Sequence, residues 1–284
     1  MWVQGARPKT LGAALSPVLV GTAVASRYGE VSLGRAFLAL VVALGLQVGV
    51  NYANDYSDGV RGVDVERRGP VRLTASGQAT PAEVKRASMI AFVVAGVAGF
   101  VVAVDVDTRL LLFGAAAIVA GPSYSGGPKP YASAGMGELS VLFFFGFVAT
   151  CGSAYVQMLR VPWLAVAGSL AVGLLACAIL LVNNLRDIET DAASGKRTLA
   201  VRVGAAKTRQ LFEACVVGGL MAAVTIAAGA PGAMLSLAAA PLAVRPLRLV
   251  AQRRDTRSLV SALVDTARLQ TVLSILLALG LWLL

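Results

Sequence analysis

Long apolar runs alternate with short polar connections along the whole 284-residue chain. Runs of about 17 to 25 residues, the length an α-helix needs to cross a bilayer, can be drawn nine times: roughly 10–26, 33–53, 87–105, 109–125, 137–158, 161–182, 209–229, 232–249 and 266–284. The pattern predicts an all-α, polytopic membrane protein with about nine transmembrane helices, residues 1–284 forming a single integral-membrane domain. GxxxG-like spacings such as Gly45 with Gly49 are expected to let helices approach closely. Gly59, Gly62, Gly126, Gly127, Gly195 and Gly204 instead fall in polar stretches at helix ends, where the chain must turn. Arg7 and Lys9 precede a full-length span, so no cleavable signal peptide is expected.

Composition agrees with this pattern: 57% of residues are hydrophobic and only 14% charged, far from an ordinary soluble domain. The net charge of +10 invites a nucleic-acid reading, which the placement of the charges opposes. With the amino terminus inside, only Arg27, Arg35, Arg109 and Arg160 of the 25 basic residues fall on outer segments, and the other 21 lie inside. That asymmetry is an orientation signal. It predicts a cell-membrane protein with a cytoplasmic amino terminus, an external carboxyl terminus and no nucleic-acid partner. Cys151, Cys177 and Cys215 all sit in apolar runs, where cysteine acts as a small hydrophobe. The chain has no histidine, which excludes histidine-ligated zinc, haem and a serine–histidine triad.

Two polar clusters interrupt the apolar pattern, NYANDYSDGVRGVD at 51–64 and NNLRDIETD at 183–191. By parity of the spans both emerge on the cytoplasmic side, after the second and sixth helices. Each pairs asparagine with aspartate at i, i+4: Asn54 with Asp58, and Asn183 with Asp187. This is a weak internal parallel repeat, and membrane proteins often place a site at a repeat interface. At helical spacing Asn51, Asn54, Asp55 and Asp58 share one arc, and Asn183, Asp187 and Asp191 form a narrow stripe from which Glu189 points away. Carboxylates at the end of a membrane helix need a cation or water, so the two clusters are expected to face each other across one site. Oxygen-only donors favour a hard cation such as Mg²⁺, which takes one or two carboxylates together with water and substrate phosphate oxygens. Neighbouring cations, including Arg61, Arg72, Lys129, Arg186 and Lys196, suit the remaining oxygens of a diphosphate. Asp105, Asp107 and Glu30 lie on the outer side and have no part in such a site.

These residues carry a resemblance. The chain resembles the intramembrane aromatic prenyltransferases of the UbiA superfamily, and within it the 1,4-dihydroxy-2-naphthoate branch of menaquinone synthesis. The superfamily has nine transmembrane helices and two aspartate-rich motifs, NxxxDxxxD and DxxxD, that bind an isoprenyl diphosphate through Mg²⁺. Asn54 and Asp58 match the first motif. Gly62 stands where its last aspartate is expected and Asp64 follows two residues later, a spacing similar to that of the naphthoate branch. Asn183, Asp187 and Asp191 are in register with the second motif, followed by a branch-like GKRTL at 195–199. ARPKTLGAALSPVLVG near the amino terminus and YSGGPKPYASAGMGELSVLFFFGF also resemble that branch.

The resemblance implies that Asn54, Asp58, Asp64, Asn183, Asp187 and Asp191 hold Mg²⁺. Arg72 and Lys196 would meet the diphosphate, while Tyr124, Lys129 and Tyr131 would bind the aromatic acid. FFFGF at 143–147 would line the channel for the isoprenoid tail or face the membrane. The implied reaction joins a polyprenyl group to the dihydroxynaphthoate with loss of its carboxylate, in contact with membrane lipid. An acceptor such as 4-hydroxybenzoate remains an alternative within this class. Outside it stand an ion-coupled transporter, which would need access from both faces, and a lipid-binding protein, which would not need acidic and basic groups together.

Overall fold

The computed structural model describes residues 1–29, 31–61, 72–124, 126 and 130–283. Among them nine long helices run in sequence: α1 (Gly12–Ser26), α2 (Leu33–Val60), α3 (Pro81–Asp105), α4 (Leu110–Ser123), α5 (Gly137–Met158), α6 (Trp163–Arg186), α7 (Leu199–Ala227), α8 (Pro231–Gln252) and α9 (Thr256–Leu283). Seven are long and apolar enough to cross a membrane, while α1 and α4 are shorter apolar helices of 15 and 14 residues. No strand occurs among the described residues. The helices therefore follow the apolar runs closely, with polar extensions at the starts of α3, α7 and α9.

Lipid tails are as apolar as leucine, so burial from water cannot hold membrane helices together; close packing and buried hydrogen bonds must do so. Helix α6 is the hub. It is buried along most of its length and packs against α1, α5, α7 and α9. One cluster of buried side chains joins it to α7, α8 and α9 through Leu175, Phe212, Val216, Leu269 and Leu273; a second joins it to α1 and α9 through Val20, Val24, Leu277 and Leu281. The crossing of α5 and α6 runs backbone to backbone, since a Cβ at Gly173 would lie 2.8 Å from the Gly146 Cα. Gly45 and Gly49 likewise seat α2 on Ala91, Phe92 and Ala95 of α3, as their spacing predicts. The fully buried Gln270 of α9 donates to the Val172 carbonyl of α6 at 2.9 Å, a polar tie worth about 0.6–1.7 kcal/mol between helices in lipid.

Two local features shape the ends of the bundle. Helix α3 starts on a capping box in which Thr80 and Glu83 exchange hydrogen bonds, with Pro81 opening the first turn. Helix α7 is interrupted at Gly204, whose φ of 81° and ψ of 164° no L-residue adopts readily. The break parts a short Leu199–Val203 turn from the rest of the helix, and because Lys207, Thr208, Arg209 and Gln210 follow it, the long apolar run begins later than the helix. Outward faces are rich in large apolar side chains, among them Ile90, Val97 and Val104 of α3 and Leu112 and Val119 of α4, as a lipid-facing surface requires.

Candidate functional site

A cavity of about 750 Å³ opens between α2, α4, α5 and α6. Most of its wall is apolar, built from residues such as Val42, Leu46, Ile118, Phe144 and Ile179. Polar groups gather at one end, where Asn54, Asp58, Arg72, Asn183, Asp191 and Lys196 all line it.

Lys196 joins the two acidic clusters. Its Nζ donates to Asp58 Oδ1 at 2.7 Å, across a separation of 138 residues. Arg72 lies 3.9 Å from the other oxygen of the same carboxylate. The ends of α2 and α6 therefore meet at one end of the bundle, as the parity of the spans predicts. Local chain geometry delivers the lysine. After the short helix Ile188–Ala193, Gly195 takes a left-handed φ of 76° and reverses the chain. The Lys196 N–H then bonds the Asp191 carbonyl at 2.9 Å, and the side chain reaches back to α2.

The stripe expected for Asn183, Asp187 and Asp191 is not one continuous helix. Helix α6 ends at Arg186, and Asp187 leaves the helical region with φ −97° and ψ 7°. Asp187 joins α6 to the short helix Ile188–Ala193 through this non-helical backbone, and the change of direction parts the two aspartates. Asp191 lines the cavity, whereas Asp187 is buried beside Arg186 and is not among the lining residues. The Arg186 guanidinium grips both Asp187 oxygens at 2.6 and 2.7 Å and also donates to Asn183 Oδ1 at 3.0 Å. The first cluster divides as well. Asp55 accepts the N–H groups of Leu73 and Thr74 at 2.8 and 3.0 Å, and Asn51 donates to the Ala6 carbonyl. These two residues clamp the 72–74 segment and the amino-terminal turn, which leaves Asp58 facing Lys196. Gly59 serves close approach rather than a turn, since a Cβ there would meet Thr74 at 2.4 Å. Glu189 is exposed.

Tyr124 and Tyr131 both line the cavity and contact each other edge to face, with ring centroids 5.5 Å apart. Tyr131 donates to the Ala120 carbonyl of α4 at 2.9 Å, which folds the 130–136 segment back over the cavity. The Arg197 N–H bonds the Ser133 carbonyl and ties that segment to the second cluster. Removal from water raises the pKa of both phenols above the usual tyrosine range, so they are neutral hydrogen-bond donors at physiological pH. In the π-helical stretch Leu142–Val148, Phe144 and Phe145 line the cavity while Phe143 is exposed; the aromatic run serves both faces. Asp64 and Lys129 lie outside the described residues. Asp105 and Asp107 pair with Arg35 and Arg109, away from the cavity lining.

Sequence reasoning passed over Arg7, Asn184 and Thr198, which also line the cavity. Arg7 follows from the ARPKT block, and Thr198 from its place two residues after Lys196. Asn184 is the neighbour of a residue already singled out, and spacing alone could not say that both face inward.

Among the described residues no three histidine, cysteine, aspartate or glutamate side chains converge on one point. The oxygen donors at hand are the carboxylates of Asp58 and Asp191 and the amides of Asn54 and Asn183. That set fits Mg²⁺, which usually keeps several waters and shares phosphate oxygens with a substrate.

Fold and site together define a multi-pass membrane protein whose helices enclose a chamber that is greasy along its length and ionic at one end. The chain matches the UbiA prenyltransferase family over residues 14–263, and it belongs to that family. It is 47% identical over 266 residues to the 1,4-dihydroxy-2-naphthoate octaprenyltransferase of Mycobacterium tuberculosis, covering 93% of this chain and 91% of that one. The Escherichia coli protein of the same name is 36% identical, with 99% and 95% covered. A UbiA homolog from Archaeoglobus fulgidus, solved bound to GPP and Mg²⁺, shares the fold with a TM-score of 0.68 at 16% identity, covering 97% of this chain and 99% of that one.

Proposed function

We infer that this chain transfers a polyprenyl group from an isoprenyl diphosphate to 1,4-dihydroxy-2-naphthoate, with loss of CO₂, to give a demethylmenaquinone. The observation that carries the reading is the single cavity in which Asp58, Asp191, Asn54 and Asn183 stand beside Arg72 and Lys196 at the mouth of a long apolar wall. The names of relatives at 47% and 36% identity support the choice of acceptor.

In this reading the isoprenoid tail lies along the apolar wall and the diphosphate at the ionic end. Asn54, Asp58, Asn183 and Asp191 would hold Mg²⁺ there, with Asp187 and Asp64 as further candidates; when bound, the metal neutralises charge on the departing diphosphate. Lys196 and Arg72 add charge-assisted donors to the same oxygens. Tyr124 and Tyr131 shape the acceptor end and exclude water. The allylic C–O bond breaks, and a C–C bond forms at the ring carbon that bears the carboxylate. The carboxylate then leaves as CO₂, its bonding pair restoring the aromatic ring. No proton has to be removed from that carbon, which suits a chain without histidine.

The site faces the cytoplasm, and the membrane is the cell membrane, on the strength of the asymmetry of basic residues. Membranes containing the protein, supplied with Mg²⁺ and a labelled polyprenyl diphosphate, test the reading against a panel of aromatic acceptors. The expected product from the naphthoate lacks the carboxylate by mass spectrometry. A carboxylated product made in preference from 4-hydroxybenzoate would place the chain in another branch.

A further inference from the structure

Glu138, the second residue of α5, is a carboxylate that the reaction above does not use. It is only 8% exposed, and one of its oxygens, Oε2, is buried without a hydrogen bond among the described residues. The other, Oε1, accepts from the side-chain Nδ2 of Asn184 on α6 at 2.9 Å, a contact that spans 46 residues and is itself buried. Its main-chain carbonyl accepts from the Cys177 thiol, about two helical turns before Asn184 on α6. Glu138 is thus pinned under α6, behind the cavity wall and not in it. Asn184 is in that wall.

The chemistry of the pair fixes an orientation. A carboxylate only accepts, so the amide must turn its NH₂ toward Glu138. The carbonyl oxygen Oδ1 is then the end left for the cavity, and no protein group bonds it among the described residues. Without Glu138 the amide could rotate by half a turn and present donors instead. The neighbourhood reaches the acceptor end: the Tyr124 hydroxyl would lie 3.4 Å from a Cβ on Gly137, the residue before Glu138. We propose that Glu138 is a positioning residue that holds Asn184 with Oδ1 toward the aromatic acceptor. Asn184 Oδ1 then accepts a hydrogen bond from a ring hydroxyl and so selects a hydroxylated ring over its ether or carbonyl form. A ring carbonyl or methoxy group offers no hydrogen to an oxygen that can only accept.

The proposal rests on the prenyltransferase reading, and the test separates the two. Glu138→Ala and Asn184→Ala are assayed in membranes with each substrate varied in turn. Each variant should raise KM for the acceptor about tenfold, the scale of one neutral hydrogen bond, and leave KM for the polyprenyl diphosphate unchanged. The double variant should be no worse than either single one, because both remove the same contact. Monomethyl ethers of the acceptor, used as competitive inhibitors, should bind the parent about tenfold more weakly than the free hydroxyl compound, and Asn184→Ala should lose that preference. Equal rises in both KM values, additive losses in the double variant, or an undiminished preference in Asn184→Ala would each overturn the proposal. Asn184→Ala keeps the question decidable should Glu138→Ala not accumulate. If the parent prenylates a different phenol and ignores the naphthoate, the function reading fails, and the same comparison on that phenol still decides the role of Glu138.

Discussion

Replacing Lys196 by methionine keeps an unbranched side chain one atom shorter and removes its charge. Asp58 then loses its 2.7 Å partner and retains Arg72 at 3.9 Å. Coulomb attraction falls with inverse distance, so Lys196 supplies roughly three-fifths of the attraction that these two cations exert on the carboxylate. Stranding one member of a buried pair costs about 3–5 kcal/mol; with Arg72 still in place the expected loss is about 2–3 kcal/mol, since both side chains are largely buried. A second effect is separate. If Lys196 donates to the departing diphosphate, kcat should fall by about 100- to 1000-fold, as for loss of one preorganised donor. Adding Asp58→Asn removes the stranded charge, so the double variant should recover most of the stability in detergent unfolding and none of the activity. Recovery of prenyl transfer together with stability would reduce Lys196 to a counter-ion of Asp58 and refute its role toward substrate.

Asp58→Ala and Asp191→Ala should each abolish turnover while the protein still inserts, and EDTA should do the same reversibly to the parent; prenyl transfer that persists without divalent metal would end the metal reading. Cysteines placed singly at the exposed Ser76 and Ser194, in a background lacking Cys151, Cys177 and Cys215, should react with an impermeant thiol reagent in inverted vesicles only. Thr108→Cys should react in intact cells, and labelling of Ser194→Cys from outside would invert the orientation. The raised phenols of Tyr124 and Tyr131 favour the neutral form in the folded state, so their contribution is fully present below the ordinary tyrosine value of about 10 and is lost as pH rises through the folded value. In detergent the Tyr124→Phe/Tyr131→Phe variant should therefore lose less stability than the parent between about pH 10 and 11, and an identical alkaline profile would contradict this.

Helix positions were legible because a membrane span is written in length and hydropathy, with little dependence on partners. The meeting of the two clusters was legible from parity alone, which put the ends of α2 and α6 on one side. What periodicity could not show was the break at Asp187, where a capping geometry sends Asp187 to Arg186 and Asp191 to the cavity. Nor could it separate Asp55 from Asp58, since both satisfy the same arc and only the folded 72–74 segment decides that Asp55 bonds backbone N–H groups. Glu138 was invisible for a related reason. It sits at the start of an apolar run, and its meaning depends on Asn184, 46 residues away.

Helix α4 has no buried residue in the protein, yet Leu110, Leu111, Phe113, Gly114, Ile118 and Gly121 form part of the chamber wall. Its 14 residues span about 21 Å at 1.5 Å each, short of a hydrocarbon layer about 30 Å thick. The surrounding bilayer must thin or the helix ends must recruit polar anchors to seat it. One wall of the reaction chamber is thus set partly by acyl-chain length, and the solvent in which the protein is purified becomes a component of its active volume.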